Sequence, residues 1–163
     1  MTIDEEFQVL YERELPNVFR AVLLLCGDRR IAEDAAQEAF ARALVRWRRL
    51  GGQPWVGGWV MTTALNVARR QLRRRPTPEP VPAPDRDPES LMDARAAIRT
   101  LPPRQQEAVA LHYLLDLPVA DTATVMGCDE GTVKTHLSRA RSALRTALAI
   151  DDEPTDQRSK RHG

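Results

Sequence analysis

Apolar positions recur at three- and four-residue spacing along most of the 163-residue chain, and no stretch alternates long enough to build a sheet. Phe7, Leu10, Tyr11, Leu15, Val18, Phe19, Val22 and Leu23 trace the buried stripe of a first helix. Pro16 interrupts that stripe and should kink or split the helix, because it lacks an amide proton and crowds the preceding turn. Gly27-Asp28 ends this helix and starts the next, with Asp28 able to accept from the free amides of the new N-terminus. Ala32, Ala36, Phe40, Ala43, Leu44 and Trp47 form a second stripe, and Asp34, Gln37 and Glu38 occupy the opposite face. GGQPWVGG at 51–58 reads as a loop. A third helix, from Trp59 to about Arg74, buries Trp59, Val60, Ala64, Val67 and Leu72.

Residues 76–88, PTPEPVPAPDRDP, hold six of the chain's twelve prolines. Alternating proline can form neither helix nor central strand, so the segment is an extended linker reaching ~3 Å per residue, or ~40 Å in all. The fold class is therefore all-α: two small helical domains, 1–75 and 89–150, joined by a Pro-rich linker. In the second, a helix over about 89–100 precedes the Leu101-Pro102-Pro103 break. The next starts with proline at its first position and runs to about Leu115. A short helix at 119–126, the Gly127 turn and a long helix at 129–149 make a helix-turn-helix. The polar tail 151–163 is expected to be disordered.

A net charge of +1 conceals a strong asymmetry. Residues 1–41 carry nine acids and four bases, whereas 42–75 carry nine arginines and no acid. Adjacent blocks of opposite sign suggest two different partners, the basic one meeting nucleic acid. The start MTIDEEF is acidic where a signal peptide would be basic, and no run is long enough to cross a membrane. The expected location is cytoplasmic. Cys26 and Cys128 suggest no disulfide framework, and the three histidines lack ligand spacing. No metal, cofactor or small-molecule substrate is expected, nor any catalytic residue.

The last helix carries the clearest chemistry. Val133, Leu137, Ala140 and Leu144 form its buried stripe, and Lys134, Thr135, Ser138 and Arg139 lie together on the flanking face. That face belongs to the N-terminal half, the part that meets base edges in this motif. Lysine and arginine suit guanine O6 and N7, and hydroxyls can bond bases or phosphate. His136, Arg141 and Arg145 fall where phosphate contacts fix register. Asp129 is the natural N-cap, and Gly131 with Thr132 permits close approach at the turn.

The segment ALHYLLDLPVADTATVMGCDEGTVKTHLSRARSAL (110–144) closely resembles the C-terminal domain of extracytoplasmic-function sigma factors, the small two-domain members of the sigma-seventy superfamily. LYERELPNVFRAVLLLCGDRRIAEDAAQEAFARALVRW (10–47) is similar to their core-polymerase-binding region. The resemblance implies an alternative sigma factor that binds core RNA polymerase, through the clamp of the largest subunit and the flap of the second largest, and directs it to promoters. Asp34, Gln37 and Glu38 match the D-x-x-Q-E positions that meet the clamp. Asn66 matches a position near the −10 element of the non-template strand, and the 51–58 loop a segment that captures a flipped base, with Trp55 its candidate wall. Arg69, Arg70, Arg73 and Arg74 would follow the DNA backbone. Lys134, Thr135, His136, Ser138, Arg139 and Arg141 would engage the −35 element. An anti-sigma factor is a further implied partner. In WVMTTALNVARRQLRRR (59–75) the chain departs from the family pattern at Thr62, Thr63 and Leu65, where basic or branched residues are common.

Two other readings compete. GTVKTHLSRA (131–140) also suits a LuxR-type regulator, which would act without being a polymerase subunit. The all-α first unit speaks against it, since a phosphoacceptor receiver domain is α/β. Glu33, Asp34 and Glu38 could form a carboxylate cluster in a helical enzyme, but they lack the histidine at i+3 or i+4 that a bundle metal site uses.

Overall fold

The computed structural model describes residues 2–74 and 89–148, so the proline-rich segment 76–88 and the tail 151–163 lie outside the described residues. The elements are α1 (Ile3–Cys26), α2 (Arg29–Val45), a single turn α3 (Trp47–Leu50), α4 (Val56–Arg74), α5 (Glu89–Thr100), α6 (Pro103–Val109), α7 (Val119–Met126) and α8 (Glu130–Ala147). A π-helical turn, Ala110–Leu114, continues α6. Among the described residues there is no strand.

Local chemistry explains most of the boundaries. Thr2 and Glu5 form a reciprocal capping box that starts α1. Pro16 lies within α1 but does not split it. Both Pro16 and Glu12 are exposed, so the carbonyl that loses its amide partner can turn to water. Gly27 then ends the helix at φ +72, its N–H bonded to Leu23 O at 2.8 Å. Asp28 accepts from Ile31 N at 3.1 Å and opens α2, as its position predicts.

Alanines build the seam of the first unit. Ala32, Ala35, Ala36, Ala39 and Ala43 of α2 are all buried. Their lack of bulk lets α1 and α4 pack closely against α2, while Phe40 fills the space toward α1 by meeting the Tyr11 ring edge-on at 4.9 Å. Trp47 does the same against Phe7 at 5.3 Å. Leu44 departs from the expected stripe and is 44% exposed. It lies about 100° round the helix from buried Ala43, and α2 ends one residue later.

The 51–58 segment is shorter as a loop than its glycines suggest, because α4 begins at Val56 and takes in Gly57 and Gly58. A glycine inside a helix costs about 0.5–1 kcal/mol relative to alanine. At Gly58 close packing explains it: a Cβ there would lie 2.6 Å from Leu117 Cδ1 and 2.9 Å from Val125 Cγ2. Those two side chains belong to the second unit.

The two helical units are thus docked, with one hydrophobic core running from Leu10 through Val60 and Met61 to Leu111, Met126 and Val133. Successive turns of α4 continue the seam. Thr62 donates to Glu107 Oε1 at 3.2 Å, and Arg69 donates to Pro103 O at 3.0 Å. Arg99 of α5 donates to Leu24 O at 3.3 Å.

Replacing Gly58 with glutamine should firm α4 as a helix but wedge the units apart. The expected result in small-angle scattering is a larger radius of gyration, with helical circular dichroism retained. An unchanged radius and melting temperature would show that the seam does not depend on this close approach.

Candidate nucleic-acid and partner interfaces

The acidic face of α2 is outward as expected. Asp34 and Gln37 are exposed, and Glu38 is half-buried and paired with Arg42 one turn on. Beside this face runs a feature that the spacing does not reveal, a groove of about 380 Å³ between α1 and α2. Tyr11, Leu15, Pro16 and Phe19 make its apolar floor, with Gln37 and Arg29 at the rim. Arg29 lies over the Phe19 ring at 5.8 Å and bonds Glu33 at 3.1 Å. The apolar spacing of Tyr11, Leu15 and Phe19 assigns all three to the core. They pack against it but remain partly open.

On α4, Asn66, Arg70, Arg73 and Arg74 are exposed. Arg69 is not: its guanidinium turns to the second unit, bonding Pro103 O and, at 3.4 Å, Gln106 Oε1. Burial lowers its pKa from the usual arginine value, an effect that the neighbouring Glu107 opposes. The polar patch receiving it is compact. Glu107 is buried, accepting from Arg104 at 2.9 Å and from Thr62. Gln106 donates to Ile98 O and Arg99 O, both at 3.1 Å, tying the α5–α6 corner together. Thr62 and Leu65, two of the departures from the family pattern, thus have local roles here. Thr62 meets Glu107, and Leu65 is buried.

Trp55 and Trp59 are both half-buried and pack on the core. A groove of about 420 Å³ does lie beside the short loop, but Trp47 and Pro54 line it rather than Trp55. Gly52 turns the loop at φ +76. The Trp47 indole N–H is buried with no partner, although periodicity marks this residue only as core.

In the helix-turn-helix, Gly127 ends α7 at φ +66 and Arg104 donates to Met126 O at 2.7 Å, a cation at a helix C-terminus. Asp129 caps α8 by accepting from Thr132 N at 2.7 Å. Val133, Leu137 and Ala140 are buried, so the opposite face is fixed outward. Lys134, Thr135, Ser138, Arg139 and Arg141 are all exposed. His136 stands apart: it is half-buried, with Nδ1 enclosed and unpartnered, on the other shoulder of the helix from Lys134. Gly131 needs no close approach within the chain, since a Cβ there would meet only Asp129 Oδ1 at 3.5 Å.

Asp129 generates a pH prediction. Its carboxyl is held below the usual aspartate value, chiefly by the Thr132 backbone N–H and then by the Thr132 hydroxyl. A depressed carboxylate stabilises the fold above its unfolded pKa, and that contribution is lost as pH falls through the folded value. Asp129→Asn keeps an acceptor without the titration. Melting temperatures taken from about pH 7 down to about pH 3 should fall less steeply for this variant than for the native chain. Parallel curves would show that this cap does not titrate.

Comparison with known proteins follows the same division. Residues 10–76 match the family described as Sigma-70 region 2, and residues 91–144 match Sigma-70, region 4. The chain is 35% identical to the ECF RNA polymerase sigma factor BldN of Streptomyces coelicolor, over 90% of this chain and 62% of that one. It is 34% identical to the ECF RNA polymerase sigma factor SigC of Mycobacterium tuberculosis, over 86% of this chain and 80% of that one. This chain therefore spans less than two thirds of the first relative and four fifths of the second. The solved sigma factor RpoE, in complex with the anti-sigma factor NepR from Bartonella quintana, shares the fold: the TM-score is 0.73 at 24% identity, covering 90% of this chain and 99% of that one. Neither family match favours the LuxR-type alternative. With two sigma regions in order and a relative of this similarity along most of its length, the chain belongs to the extracytoplasmic-function sigma factors of the sigma-seventy family.

Proposed function

We propose that this sigma factor binds core RNA polymerase through the acidic face of α2 and anchors it to promoters through α8. The observation that carries the reading is the outward placement of two chemically opposite faces on separate units. Asp34 and Gln37 stand exposed on one, and Lys134, Thr135, Ser138 and Arg139 stand exposed on the other. The clamp of the largest polymerase subunit is the partner for the first face. The adjoining groove over Tyr11, Leu15 and Phe19 offers apolar area to a helical partner, and Gln37 with Arg29 and Glu33 supplies its polar rim.

Duplex −35 DNA is the partner for α8. Lys134 and Arg139 carry donors for base acceptors, with Thr135 and Ser138 beside them. The exposed end of α4, with Asn66, Arg70, Arg73 and Arg74, serves the −10 strand. A −10 base would be captured beside the Gly52–Pro54 loop, at a few kcal/mol for unstacking. Engagement there draws on the same helix that carries Arg69, so the Arg69 and Thr62 contacts to α6 would open as α4 takes up DNA. Two modules on one chain gain effective concentration once either engages. The flap of the second-largest subunit completes the polymerase contacts. An anti-sigma factor is a further partner, as in the RpoE–NepR complex. Bond-making belongs to the polymerase, and the setting is the cytoplasm. No helix among the described residues is long and apolar enough to cross a membrane.

The faces separate by mutation. Asp34→Ala should weaken capture of core polymerase by about tenfold and leave the affinity of α8 for duplex DNA unchanged. Arg139→Ala should leave core binding intact and reduce initiation from −35-dependent promoters by about tenfold, the loss of one good base contact. Core pull-down and promoter initiation assays read the two effects. Exchanged outcomes would mean that the faces are assigned the wrong way round.

A further inference from the structure

Tyr113 lies in the π-helical turn, where Leu115 N reaches back to Ala110 O at 3.1 Å. The widened turn buries Leu111 completely and leaves Tyr113 46% exposed. Single π turns of this kind recur at functional sites. The ring is propped from below by His112, which meets it edge-on at 4.9 Å. His112 is itself fixed, because Nδ1 donates to Leu117 O at 2.8 Å and a carbonyl can only accept.

Across the motif, Arg141 Nη1 donates to the Tyr113 hydroxyl oxygen at 2.6 Å. A guanidinium only donates, so the hydroxyl is the acceptor and its own O–H is free to donate outward. The charge is also free. Arg29, Arg42 and Arg104 are each paired with a carboxylate, whereas among the described residues Arg141 meets no acid. Arg141 follows Lys134 by seven residues and Ser138 by three, so all three lie along one edge of α8. Thr135 and Arg139 project further round. Arg141 therefore borders the base-reading face on its Lys134–Ser138 edge, toward the C-terminal end of α8, where phosphate contacts set register.

We propose that Tyr113 and Arg141 together form a seat for one backbone phosphate of duplex DNA, the tyrosine O–H and the guanidinium donating to the same phosphodiester. The seat rests on the reading of α8 as the duplex-binding helix. Tyr113 contributes in two ways, as a donor and as the prop that holds the arginine fork ready.

The test uses the full chain in complex with core polymerase and a duplex selected by that complex from a random pool. Single phosphates are replaced in turn by uncharged methylphosphonates. The native protein should lose affinity at one phosphate bordering the −35 element; Arg141→Ala should become nearly indifferent at that position, and Tyr113→Phe, which keeps the guanidinium, should be less sensitive there than native. Tyr113→Phe keeps the ring and should cost about ten- to a hundredfold in affinity, the scale of one hydrogen bond to a charged group, whatever the base sequence. Arg141→Ala should in addition lower the salt dependence by about 0.9 in log–log slope. If Tyr113→Phe binds as tightly as native, or weakens binding while keeping native sensitivity to every methylphosphonate, the seat does not exist. Arg139→Ala separates the levels: if it too leaves binding unchanged, the assignment of α8 fails, and if it alone weakens binding, only the seat fails.

Discussion

Everything in this structure depends on close approach along both sides of α4. Toward the first unit it packs on a row of alanines from α2, all buried. Toward the second it presents Gly58, where any side chain would strike Leu117 and Val125. Close approach on both faces joins the amphipathic helices into one core that neither unit could assemble with bulkier residues at those positions. A gap of even about 0.5–1 Å forfeits a sizeable fraction of the dispersion attraction, so the small residues are a packing requirement rather than a neutral choice.

That packing sorts the arginines. Those near carboxylates are spent within the chain: Arg104 lies beside Glu107 and Arg42 beside Glu38. Arg69 is drawn in by carbonyl and amide oxygens of the second unit. What remains exposed on α4 is its far end, Arg70, Arg73 and Arg74. On α8, Lys134 and Arg139 stay exposed, and Arg141 is held by a neutral hydroxyl. The basic block in the sequence is therefore not a single surface. One part of it closes the molecule, and the other stays exposed.

Helix stripes, caps and the helix-turn-helix were legible in the sequence because each rests on local rules. Asp28, Asp129, Gly27 and Gly127 all act where their types predict. Pro16 does not split α1, because a proline defect is tolerated where its orphan carbonyl can reach water. Gly57 and Gly58 misled because a glycine required by long-range contact looks the same as one required by a turn. Arg69 and Thr62 could not be read at all, since their partners lie more than thirty residues away in sequence. Tyr113 was hidden for a related reason: a π turn shifts the helical register, so periodicity alone would put its ring elsewhere. The acidic face of α2 and the outward face of α8 were visible as spacing. DNA contact by α8 was read from its residue chemistry, whereas the clamp and the −35 element as partners are what the family resemblance implies.

The most direct test is run-off transcription with purified core RNA polymerase on genomic fragments. The account predicts promoter-specific transcripts when this chain is added, absent with core alone, and promoter protection that requires both components. Equal protection by the chain without core, with no polymerase-dependent transcript, would contradict it.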